Sequence, residues 1–93
     1  GKKEYILSKQ LLRSGTSIGA NVEEALGGQS KKDFISKLSI AYKEARETKY
    51  WLSLIRESKY MTDKELSPIF DSCEEILRII GKIQKTSKER LEI

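Results

Sequence analysis

Between Leu11 and Ala25 the chain keeps an apolar stripe at helical spacing, Leu11, Ile18, Val22 and Ala25,. The positions between are filled with residues that a free-standing helix avoids. Ser14, Gly15, Ser17, Gly19 and Asn21 are all mediocre or poor helix formers,. A helix that retains two glycines is expected to bring its backbone close to a neighbour. One that retains Ser and Asn beside its apolar stripe is expected to have specific hydrogen-bond partners there. The segment therefore predicts one helix of a close-packed bundle with a polar network along its face.

Two further helices follow the same logic. The first helix is expected from about Tyr5 to Leu26, stopped by Gly27-Gly28,. The second starts after Ser30, a good N-cap, with Asp33 in the place of a capping-box acid, and runs to about Tyr60,. Its stripe is Phe34, Leu38, Ala41, Ala45, Thr48, Leu52 and Ile55, widened by Ile35, Ile40, Tyr42, Trp51 and Leu54,. The third begins near Thr62, with Glu65 completing a Ser/Thr-x-x-Glu box,. Leu66, Ile69, Cys73, Ile76, Ile80 and Ile83 form its stripe. Pro68 lies too deep for a first turn and predicts a short break, and the charged tail from Lys85 to Ile93 is expected to fray,. Short connections make neighbouring helices antiparallel. Residues 1–93 thus read as a single all-α helical-bundle domain with three clear helices. The stripes are wide for three helices. A fourth, from upstream in the natural protein or from another subunit, would complete an antiparallel up-down bundle of the four-helix type.

Composition narrows function. Histidine is absent, which removes the commonest general base and the commonest metal ligand,. No enzyme is expected, and no cofactor or metal. Glu23 and Glu24, Glu44 and Glu47, and Glu74 and Glu75 are paired carboxylates, but a carboxylate-bundle metal centre also needs histidines,. The single cysteine, Cys73, cannot form an internal disulfide and reads as a small core residue in a reducing, cytoplasmic compartment,. No apolar run is long enough to span a membrane.

Two sets of side chains stand out. Arg13, Ser17, Asn21 and Glu24 follow one another at four, four and three residues, so they share one helix face,. Glu47 would reach that face from the adjacent antiparallel helix. Such a set either fixes the register of packing or binds a ligand or nucleic acid; in bundles the first is the commoner use. The second set is basic. Lys32, Lys43 and Arg46 lie with Ser36, Ser39 and Tyr50 on a stripe opposite the core, and Arg78, Lys82 and Lys85 form another on the third helix. With a net charge of +4, this is either an ordinary solvated face or a surface for phosphate backbones, strengthened by repetition in an oligomer,.

The polar motif carries a family resemblance. Leu12, Arg13, Ser17, Ile18, Asn21, Val22 and Glu24, then Phe34, Ile35, Leu38, Ile40 and Ala41, then Glu47, Thr48 and Leu52 resemble the proteins encoded by intervening sequences in bacterial 23S rRNA genes. The accessory variability protein of diversity-generating retroelements is similar to that family. The likeness covers about Leu7 to Tyr60; the third helix matches only in amphipathic character. The chain departs from the pattern at Glu23 and Ala25, where a small residue and glycine are common, and the family's first helix is missing from it. The resemblance implies a left-handed up-down four-helix bundle, a homo-oligomeric ring (a pentamer in some members) and a basic surface. For the retroelement relatives it implies association with RNA or DNA and with a reverse transcriptase. Two functions are therefore expected as alternatives. One is a non-enzymatic, oligomeric nucleic-acid-associated protein. The other is a structural or protein-binding scaffold that docks a partner such as a reverse transcriptase without touching nucleic acid.

Overall fold

The computed structural model describes residues 1–59 and 61–92, with side chains through Ser87. Three helices appear in order: α1 (Lys2–Leu26), α2 (Lys31–Ser58) and α3 (Asp63–Glu92). The expected end of the second helix at Tyr60 lies outside the described residues, as do the side chain of Lys88 and all of Ile93.

The helix starts follow from local side chains. The backbone N–H of Asp33 donates to Ser30 Oγ at 3.0 Å, which caps α2,. At α3 the box is reciprocal: Glu65 N–H donates to Thr62 Oγ1 at 3.1 Å, and Thr62 N–H donates to Glu65 Oε1 at 3.0 Å,. The ends are less regular. Gly27 closes α1 with φ −89°, not in the left-handed conformation that glycine commonly supplies there,. It is Lys59, after α2, that takes φ 62°.

Pro68 does not break α3. It is the sixth residue of the helix, and the bond it cannot make is the one to the carbonyl of Lys64. Lys64 and Pro68 are both exposed, so water can satisfy that carbonyl and the ring has space,. The backbone of α3 also stays helical to Glu92, past the point where fraying was expected.

Contacts such as Ser14 with Thr48 and Glu24 with Lys37 make α1 and α2 antiparallel, and Cys73 with Ala45 and Gln84 with Ser39 do the same for α2 and α3. Backbones of α1 and α3 each approach α2 and not one another. The result is a slab of 51 × 20 × 15 Å with α2 in the middle. One core cluster joins Leu7, Leu52, Ile55, Leu66 and Cys73 across all three helices; a second joins Ala25, Leu38, Ala41 and Ile80. Every stripe residue of α2 from Leu38 to Ile55 is buried. On the α2 flank Ile40 is exposed. The expected α3 stripe is only partly covered: Leu66, Cys73 and Ile80 are buried, but Ile69 and Ile83 are exposed, because a single layer covers only one side of each outer helix.

Candidate functional site: a polar seam, an apolar groove and a basic back

The seam between α1 and α2 carries the polar motif. The Arg13 guanidinium pairs with Glu47 and reaches Glu44 at 3.4 Å, while its Nε donates to Gln10 Oε1 at 3.1 Å. Glu47 Oε1 also accepts the Trp51 indole N–H at 3.1 Å. That indole bond first, and Arg13 second, hold the Glu47 carboxyl below its ordinary pKa,. The Arg13 guanidinium is raised in turn, chiefly by its hydrogen bond to Glu47.

The other motif residues bond elsewhere. Asn21 Nδ2 donates within α1, to Ser17 O at 2.8 Å and Ser17 Oγ at 3.2 Å. Glu24 pairs at 3.0 Å with Lys37 of α2, whose ammonium its hydrogen bond holds above the usual lysine range. So the five residues line one seam but make three separate sets of bonds. Between them lies a pair that spacing did not single out. Thr48 and Ser14 hydroxyls meet at 2.9 Å, at 7 % and 0 % exposure. Thr48 read as one more position of the apolar stripe, and Ser14 as one more small residue.

On the other flank of α1 the expected close approach is missing. A Cβ added at Gly15 or Gly19 would meet nothing within 4 Å. Gly15 faces an open groove between α1 and α3, and Gly19, one turn on, is exposed beyond the groove's lining. The groove, of about 390 Å³, is lined by Ser8, Leu11, Leu12, Gly15 and Thr16 of α1, Thr48 of α2 and Ile69 of α3. Leu12 is 68 % exposed at its rim, and farther along α3 Ile79 is 51 % exposed.

The basic residues sit on other faces. Lys32, Lys43 and Arg46 are exposed on α2, and Arg78, Lys82 and Lys85 on α3. Lys43 lies five residues before Thr48, about 140° around α2 from it, so it faces away from the groove floor,. Among the described residues, side-chain ion pairs involve Arg13, Lys37 and Lys49 and none of these six cations. Cys73 is buried, donates to Ala45 O at 3.1 Å and has its thiol pKa raised by burial, which keeps it unreactive,. No group of three His, Cys, Asp or Glu side chains among the described residues is placed to hold a metal, and no described helix is long and apolar enough to cross a membrane.

An antiparallel, all-helical chain with a polar α1–α2 seam and one open apolar side defines the class: a helical-bundle protein. The chain belongs to the 23S rRNA-intervening sequence protein family, whose profile matches residues 1–82. The match thus runs past the two motif-bearing helices and well into α3. No curated protein matches the chain. Among solved structures it is similar to a protein of unknown function from the S23 ribosomal protein family of Bacteroides thetaiotaomicron VPI-5482. The two are 49 % identical with a TM-score of 0.86, over 91 % of this chain and 79 % of that one.

Proposed function

We propose that this chain is a non-enzymatic, oligomeric nucleic-acid-associated protein that binds RNA or DNA weakly through its basic faces. The observation that carries the reading is the separation of surfaces. Six exposed cations lie outside any ion pair among the described residues, and none of them lines the groove, where the exposed Leu12 and Ile69 face one another. Phosphate contacts and helix packing then do not compete for one face. Assembly into a homo-oligomer, a pentamer by the family resemblance, multiplies a weak charge-driven affinity. The groove, with the bare Gly15 on one wall, suits a fourth helix from an upstream segment or another copy, which gives the four-helix up-down architecture. A cytoplasmic, reducing location fits the unpaired buried thiol,.

A salt-dependent RNA titration tests this. Replacing Lys43 and Arg46 together by Glu is expected to lower affinity and to reduce the slope of log K against log salt by about 1.5–2, the loss of two phosphate contacts. If the wild type does not bind at low salt, or the double variant binds equally well, the stripe is a solvated face. The open groove supports a second reading in that event: a scaffold whose apolar side docks a protein such as a reverse transcriptase. Light scattering that shows a stable monomer would overturn the oligomeric part of the proposal.

A further inference from the structure

The seam between α2 and α3 holds a second concavity, of about 360 Å³, lined by Tyr42, Arg46, Lys49, Tyr50, Ser53 and Leu77. Tyr42, Arg46 and Tyr50 are spaced four residues apart, so they form a ladder with a rise of about 6 Å per step. Tyr42 is half-buried, with its ring edge over Gly81 of α3. Tyr50 stands 57 % exposed. Behind it the Trp51 ring meets it edge-on, with centroids 5.2 Å apart and planes at 66°. Trp51 is itself fixed by its bond to Glu47, which Arg13 holds in turn. An exposed aromatic ring is thus held from behind with one side open. The polar groups around it are unequal. Lys49 is neutralised by Glu74 at 3.0 Å, and the Ser53 hydroxyl donates to Lys49 O at 3.1 Å. Arg46 is exposed and in no ion pair among the described residues.

We propose that this concavity binds one unpaired base of a single-stranded nucleic acid, with the Tyr50 ring as stacking platform and the Arg46 guanidinium on the neighbouring phosphate. The assignment rests on the nucleic-acid reading above and gives it a site and a strand preference. Ring-on-base stacking tolerates any base, because every base presents a π-face, and it requires the base to be unstacked from its neighbours. A duplex interior keeps both faces of each base covered, so only the charge contact remains available to it. An acidic peptide would satisfy Arg46 but would leave the ring uncovered.

The test is fluorescence anisotropy with a short labelled oligoadenylate and a blunt RNA duplex of equal length. Tyr50→Ala is expected to weaken the single strand by about fivefold to a hundredfold, leave the duplex affinity unchanged and leave the salt slope unchanged, while Tyr50→Phe restores wild-type binding. Tyr50→Lys separates stacking from charge: weaker single-strand binding supports the platform, and tighter binding overturns it. Equal binding by Tyr50→Ala, or an equal loss on both ligands, also overturns it. So does competition by poly-glutamate as effective as that by unlabelled oligoadenylate. A wild type that binds neither RNA sinks this site together with the proposed function; a wild type that binds while Tyr50→Ala is unaffected sinks the site alone.

Discussion

The buried hydroxyl pair at the α1–α2 seam should behave as a coupled unit. Thr48 Oγ1 lies 2.9 Å from Ser14 Oγ and 2.8 Å from Glu44 O, while Ser14 Oγ lies 3.3 Å from Leu11 O. Each hydroxyl has one proton. The arrangement that uses both protons at the shorter distances has Thr48 donating to its own helix and Ser14 donating across to Thr48. Thr48→Val keeps the shape and removes that acceptor; Ser14 must then turn to Leu11 O at the poorer distance. Ser14→Ala removes the cross-helix donor and leaves Thr48 satisfied by Glu44 O. Ser14→Ala should cost about 0.5–1.5 kcal/mol, the net value of one hydrogen bond, and Thr48→Val about twice that, because it also loses the bond to Glu44 O,. The double variant loses the cross-helix bond only once, so its cost should be close to that of Thr48→Val and not to the sum. The expected coupling is about 1 kcal/mol, which in a chain of this size moves the melting temperature by about 4–8 °C. Urea unfolding of the four proteins, with m-values compared, measures it. Additive costs, with coupling below about 0.3 kcal/mol, would show that the two hydroxyls are satisfied independently and refute the proton assignment.

Other features make expectations of their own. Glu47 has a lowered folded pKa, so the stability it contributes is complete above the ordinary glutamate range and is lost as pH falls from that range through the lowered value,. Glu47→Gln should flatten the acid limb of a melting-temperature profile by lowering stability at neutral pH while leaving the acid end little changed,; an unchanged acid limb would place the charge elsewhere. Thr62→Ala removes both side-chain contacts of the α3 box and should cost about 1 kcal/mol in chemical denaturation,. Lys59→Gly relieves a left-handed conformation worth about 1–2 kcal/mol against glycine's extra chain entropy of about 0.5–1 kcal/mol, so stability should rise by about 0.5–1 kcal/mol, read as a higher melting temperature,.

What was legible in the sequence is what local chemistry decides. Ser30, Thr62 and Glu65 cap helices through bonds that span three residues, and spacing alone finds them. The α2 stripe is legible because a central helix, packed from both sides, buries its middle line from Leu38 to Ile55. The failures are matters of reach and surroundings. Pro68 is tolerated because it and Lys64 lie on an exposed part of α3, where water can reach the unpaired carbonyl, and no spacing rule reports that exposure,. The motif on α1 has the periodicity of one network, yet Asn21 is short and bonds to Ser17 in its own helix, while Arg13 is long enough to cross to Glu47. Glu44 was read as half of a carboxylate pair; only the antiparallel register shows it as a second partner for Arg13.

The bare glycines carry the argument farthest. A glycine inside a helix costs about 1 kcal/mol relative to alanine, and α1 keeps two of them one turn apart with room for a Cβ at each,. Nothing within the described residues requires them. The same flank leaves Leu12 in water, where full burial of a leucine is worth about 1.5–3 kcal/mol,. Small residues flanked by a large apolar one suit a helix that comes close at the glycines and covers the leucine. A helix laid along this groove would touch α1 and α3 and cover the Ser14–Thr48 side of α2. It would leave Lys43, Arg46 and Tyr50 on the opposite side uncovered. Closure of the bundle and capture of a nucleic-acid strand are therefore compatible in one molecule, and Leu12→Glu separates them: it should disturb assembly while RNA binding per chain persists.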